Sequence, residues 1–161
     1  MAIYLKNDKI KGNVTTAGFK DQIELTSANF QSGRIMMMSK RSADNRGHAE
    51  PNLTEISCTK QWDPKSSVLL LQDSISGVGN HKVTISFTTT SKNVVVAFKT
   101  FELEEVVVSS YSMGAGSDGQ PTESFNLNYT KITITPYEVA DGKATVGPIV
   151  TYSLPDMKAN G

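Results

Sequence analysis

The sequence predicts a mainly β protein: an antiparallel β-barrel of two packed sheets with one flanking α-helix, built as a single domain over residues 1–161. Three observations carry this. Period-two alternation dominates the second half, where Val83, Ile85 and Phe87 share one side of a strand and Lys82, Thr84, Ser86 and Thr88 share the other. A single segment, WDPKSSVLLLQDSISG, carries helix punctuation, with Asp63 as N-cap, Pro64 at the first helical position and Gly77 as the stop. Finally, the apolar phase flips between Phe125, Leu127, Tyr129 and Ile132, Ile134. A bulge or bend at Thr130 and Lys131 would produce that flip, as where a strand turns a barrel corner or passes from one sheet to the other.

The elements follow in order. AIYLK, DQIEL, SANFQSG and NLTEISCTK read as short strands separated by Gly, Asn and Asp signals. In the helix, Val68, Leu71 and Ile75 form one apolar stripe, expected to close the end or side of the barrel. NVVVAFKTFELEEVVVSS is rich in branched and aromatic residues and is divided near Glu102 to Glu105 into two strands, a single long bent strand being the alternative. GPIVTYSL supplies the last strand.

Composition narrows the function. Sixteen basic residues balance sixteen acidic ones, so no global field draws the chain to nucleic acid or an anionic membrane. The lone Cys58 has no internal bridging partner, which suits a reducing compartment or export after folding. MAIYLKNDKIKGN contains no apolar run of signal-peptide length, and no segment approaches a membrane span.

Catalytic chemistry would need a nucleophile and a base, and Cys58 with His48 or His81 is the one candidate set. Cys58 follows Ile56 on the same strand side and reads as buried packing. His48 and His81 read as solvated and lack metal-site spacing. Glu104 and Glu105 are adjacent on a strand and point to opposite faces. GAGSDG lacks the lysine and helix of a phosphate loop and reads as a hairpin turn. No catalytic, cofactor or metal site is expected.

Two features point to assembly instead. An extended loop at about 34–51 is longer than connections in compact domains usually are; it carries Met36, Met37, Met38 and the basic Lys40, Arg41 and Arg46, with His48 beyond them. The outward face of another strand carries Ser124, Asn126, Asn128 and Thr130, all small, polar and uncharged, where solvent faces usually carry charge.

Taken in order, MAIYLKNDKIKGNVT, DQIEL, EISCTKQWDPKSSVLL and EEVVVSSYSMGAGSDGQPTESFNLNYTKITITPY resemble the haemolysin-coregulated protein (Hcp) family, inner-tube proteins of the bacterial type VI secretion system. The resemblance spans essentially the whole chain. It implies a non-enzymatic β-barrel subunit that forms homo-hexameric rings stacked into a hollow tube, inside a contractile sheath with a baseplate and a spike protein. It also implies bacterial cytoplasmic synthesis, secretion by the system without a cleaved signal peptide, and effector proteins carried in the lumen. No cofactor, nucleic acid or membrane insertion is implied, and no fused toxic domain is expected after the last strand. The same resemblance makes Ser27, Asn29 and Gln31 lumen-facing and makes Met36, Met37, Met38, Lys40, Arg41, Arg46 and His48 an inter-ring or inter-subunit loop. The alternative left by the residues themselves is a monomeric β-sandwich binding module, for instance for carbohydrate.

Overall fold

The computed structural model describes residues 1–34, 51–77 and 79–155, together with the backbone of 158–160. The first strands are β1 (Ala2–Asn7), β2 (Ile23–Leu25), β3 (Ser27–Asn29), β4 (Ser32–Arg34), β5 (Pro51–Leu53) and β6 (Ile56–Gln61), followed by α1 (Ser67–Ser76). Then come β7 (His81–Ser91), β8 (Val94–Gly114), β9 (Thr122–Asn128), β10 (Lys131–Ala140), β11 (Lys143–Val146), β12 (Val150–Ser153) and β13 (Lys158–Asn160).

The residues expected to form two strands form one. β8 runs unbroken for 21 residues, and Glu105, at φ 51°, marks where it turns from one sheet into the other. Its first half lies between β7 and β10, in a sheet ordered β13-β12-β10-β8-β7-β1-β2. Its second half pairs with β9 at the end of a four-stranded sheet ordered β3-β6-β9-β8. The expected phase flip is the second crossing: β9 ends in the four-stranded sheet and β10 begins in the other, with Tyr129 and Thr130 between them. At the far side, β2 and β3 are separated only by Thr26, whose amide donates to the Thr59 carbonyl at 2.8 Å. The ladder is interrupted there, so the barrel is two sheets sharing β8 and joined by this one-residue corner.

Between the sheets lies one core. Leu5, Ile23, Val83, Ile85, Leu103 and Ile132 meet Ile56, Cys58, Val108, Phe125 and Leu127, all buried. Period-two alternation explains the choice of side chains, since each has a polar neighbour on the opposite face.

The helix inverts its expected packing. Asp63 and Pro64, expected as N-cap and first helical residue, lie before the helix: the Asp63 carboxylate accepts the amides of Lys65 and Ser66 at 2.9 and 2.7 Å and so holds the turn leading into it, Ser66 stands at the N-cap without a side-chain cap bond, and Gly77 closes the helix at φ 59°. Val68, Leu71 and Ile75, however, are 63, 41 and 78 % exposed, while the buried residues are Ser67, Leu70 and Asp73. The reason is electrostatic. Lys60, buried on the inner face of β6, puts its Nζ 2.6 Å from Glu123 Oε2 and 2.9 Å from Asp63 Oδ2, and donates to Ser67 Oγ at 3.1 Å. Ser67 Oγ in turn donates to Glu123 Oε2 at 2.8 Å, and Tyr111 donates to Glu123 Oε1 at 2.5 Å. Ser66 donates to Asp63 Oδ2. At the other end, Asp73 accepts the Val108 amide at 3.1 Å and lies 2.8 Å from His81 Nε2. His81, expected to be solvated, is therefore buried and paired. Two buried charges need partners far more than three aliphatic side chains need a core, so the polar face turns inward.

Burial would push the Asp63 carboxyl up, but hydrogen bonds from Ser66 and the Lys60 ammonium outweigh it and hold it below its ordinary value. A depressed folded value contributes stability that is complete above about pH 4 and lost as pH falls through it. Asp63→Asn should therefore flatten the acid limb of a stability-against-pH curve measured by urea unfolding; an unchanged acid limb would contradict the pairing. In the same assay, Lys60→Ala should destabilise by about 3–5 kcal/mol by stranding Glu123. The double change Lys60→Met with Glu123→Leu should recover most of that loss.

Candidate functional site

The outward face of the four-stranded sheet is the feature that the fold sets apart. Register places Asn29, Ser57, Asn126 and Ser110 side by side across β3, β6, β9 and β8. The next row out is Ser27, Thr59, Ser124 and Ser112, followed by Gln61, Thr122 and Gly114. Every one is small or polar, and none is charged. Alternation puts their neighbours Ala28, Cys58, Phe125 and Tyr111 on the core side.

Short hydroxyl contacts knit this face together. Thr59 Oγ1 lies 2.7 Å from Thr26 Oγ1 and 2.6 Å from Ser27 Oγ. A bulge between Val108 and Ser110 leaves Ser109 as the extra residue, whose hydroxyl donates to Glu55 at 2.9 Å. Asn128 donates to the same carboxylate at 3.0 Å, so the acid at the margin is already engaged. A bulge here restores the inward aim of Tyr111 without breaking the polar row.

Of the three lumen candidates, Ser27 and Asn29 stand on this outward face, with Asn29 exposed. Gln31 lies beyond the end of β3, its amide and carbonyl bonded to Thr54. Met36, Met37, Met38, Lys40, Arg41, Arg46 and His48 lie outside the described residues.

Of the residues screened for chemistry, His48 lies outside the described residues and the others are engaged in the fold. Cys58 is fully buried with its thiol pushed up to about 12 by burial, and it lies among the core side chains. His81 is committed to Asp73. Glu104 pairs with Lys131 at 3.5 Å and Glu105 accepts the Thr130 hydroxyl at 2.9 Å. The GAGSDG segment is the exposed turn between β8 and β9. Among the described residues, no group of three His, Cys, Asp or Glu side chains is placed to hold a metal ion, and no helix is long and apolar enough to cross a membrane. Trp62, 45 % exposed, borders a polar hollow of about 440 Å³ with Glu24, Thr26, Gln61 and Gln120.

Sequence reasoning missed Lys60 and Glu123. Their signal was present in the alternation: Ile56, Cys58 and Lys60 share one strand face, as do Glu123, Phe125, Leu127 and Tyr129. A charge at the end of an apolar row reads as the strand running into solvent, whereas here the row continues inward to the helix.

A continuous neutral polar face over an apolar core, on two antiparallel sheets with one helix, defines the class as a mainly β protein of two packed sheets. The chain belongs to the family described as type VI secretion system effector, Hcp, whose model matches residues 4–135. Solved structures share the fold. One described as the structure of a type six secretion system protein is 22 % identical, with 99 % of each chain covered and a TM-score of 0.88. Hcp1 from Salmonella typhimurium is 18 % identical over 99 % of this chain and 98 % of its own, at 0.72. A double mutant of Hcp1 from the E. coli EAEC 042 pathovar is 21 % identical over 95 % and 97 %, at 0.71. No curated protein matches the chain in sequence.

Because Cys58 is both buried and held protonated, a thiol reagent at pH 8 should leave the native protein unlabelled and modify it only in denaturant. Cys58→Ala should fold with a cost of about 1–2 kcal/mol in urea unfolding. Rapid native labelling would contradict the burial.

Proposed function

We propose that this chain, a type VI secretion tube subunit by family, works as a non-enzymatic ring component, six copies enclosing a lumen lined by the four-stranded sheet. The observation that carries the reading is the pair of neutral polar rows from Asn29 to Ser110 and from Ser27 to Ser112. A passage for proteins must avoid both apolar patches, which bind unfolded segments, and strong fields of one sign, which trap opposite charge. This face avoids both, and the fold supplies it already hydrogen-bonded across four strands. In this reading Ser27 and Asn29 face the lumen, with Gln31 at its margin, and the segment from Met36 to His48 makes contact between rings or between neighbouring subunits. Stacked rings form the tube, a sheath, baseplate and spike protein are its partners, effectors are its cargo, and the system itself secretes it.

Solution mass tests the ring. Sedimentation should give a species of about six times the monomer mass, as closed cyclic assemblies do, and a monomer at all concentrations would contradict the reading. Asn29→Arg should leave the ring mass unchanged, since the core side of β3 is untouched. It should alter retention of an effector in co-purification, because like charges on every copy repel over about 8 Å at physiological salt. Unchanged retention would remove Asn29 from the cargo path.

A further inference from the structure

The apolar stripe that α1 turns outward needs a cover. Val68, Leu69, Leu71 and Ile75 are all exposed, and so are Gln72 and Ser76 beside them. The whole exposed face is without charge, because the one charged residue of α1, Asp73, is buried. A solvent-facing helix surface ordinarily carries charges, while loss of charge around aliphatic side chains is the mark of an interface core.

Where this face points follows from the strand edges. Val106 of β8 pairs with His81, the first residue of β7, and among the described residues no strand continues beyond it on that side. The next amide of the same parity, Val108, is taken by the Asp73 carboxylate. The C-terminal half of α1 thus stands where β7 would have continued, along the free edge of the four-stranded sheet. Among the described residues the opposite free edge of that sheet is β3. If the sheet lines a lumen, its two edges are the flanks that meet neighbouring copies, and α1 lies on one of them.

We propose that the outward stripe of α1, centred on Leu71 and Ile75, is a lateral contact of the ring, covered by the β3 flank of a second copy of this chain. The inference rests on the ring reading above and adds the surface that holds the ring together. It uses two different patches of one chain, the kind of heterologous contact that closes into a ring when the rotation allows. It also explains the inverted helix: buried ionic partners fix α1 from beneath so that its apolar residues remain available to a neighbour.

Two variants test it. Leu71→Glu should retain the wild-type circular dichroism spectrum but move the midpoint concentration of ring assembly upward by about 100-fold or more, since truncating or charging a central contact residue weakens assembly by orders of magnitude. Ile75→Cys provides a thiol at a position 78 % exposed in the single chain, and Cys58 does not compete for reagent. Its maleimide labelling in wild-type-like rings should be about 10-fold slower than in diluted monomers, as expected of a group withdrawn from solvent. This second variant keeps the test open if Leu71→Glu fails to fold. Rings of normal stability in which that thiol labels as fast as in monomers would overturn the lateral contact, assign the stripe to some other component around the ring, and leave the proposed function standing. Failure of the wild-type chain to form rings would overturn the proposed function and this inference with it.

Discussion

A single 21-residue strand has to serve two sheets, and the rest of the molecule is arranged around that requirement. Up to Val106, β8 is an interior strand between β7 and β10; beyond it, β8 is the last strand of a four-stranded sheet. The turn falls on Glu105 in the left-handed region, a conformation costing about 1 kcal/mol or more for a residue with a Cβ. A neighbouring strand cannot follow both halves, so β7 stops at His81 and a gap opens in the barrel side. The helix fills it. The neutral outward sheet, the helix beside its edge and the buried ionic cluster beneath the helix all descend from this one crossing.

Charge is distributed in a way that separates holding from working. Among the described residues the buried charges belong to Lys60, Asp63, Asp73 and Glu123, with His81 paired to Asp73: Lys60 joins β6 to Glu123 of β9 and to Asp63 in the turn before α1, and Ser67 and Asp73 tie α1 to these strands and to His81. A buried ion pair is a poor source of net stability compared with aliphatic packing, but it admits few alternative geometries. Placing charge under the helix therefore fixes its orientation, and with it which side chains face out. The core of the barrel, by contrast, is aliphatic and aromatic, and the face over it is neutral. In the proposed reading, a neutral face suits a wall past which other proteins move, because it offers neither an apolar patch nor a field of one sign.

Much of this was legible in the residues. Alternation marked β7 and β9, short strand-forming runs marked β1 and β12, and the apolar phase change after Tyr129 marked the passage from one sheet to the other. Gly77 marked the helix end correctly, whereas Asp63 and Pro64 marked the turn before the helix, whose first residue is Ser67. What was illegible depended on distant partners. Val68, Leu71 and Ile75 form an amphipathic stripe by spacing alone, and only the arrival of Lys60 and Glu123 from other strands makes the polar face the buried one. His81 looked solvated because its partner, Asp73, belongs to the helix before it. The division of β8 failed for a related reason: two consecutive glutamates resemble a turn, whereas the strand continues through them because both sheets claim it. Of the candidate site, the polar rows on β9 and β3 were visible separately. Their alignment through β6 into one surface required the register.

The most direct measurement is a high-resolution electron cryomicroscopy reconstruction of the assembled protein. The account predicts a closed ring whose inner wall presents Asn29, Ser57, Asn126 and Ser110 from every copy, with the core side chains of the same strands pointing away from the channel. A ring whose channel is lined by the other sheet, or an assembly that buries this row between subunits, would contradict it.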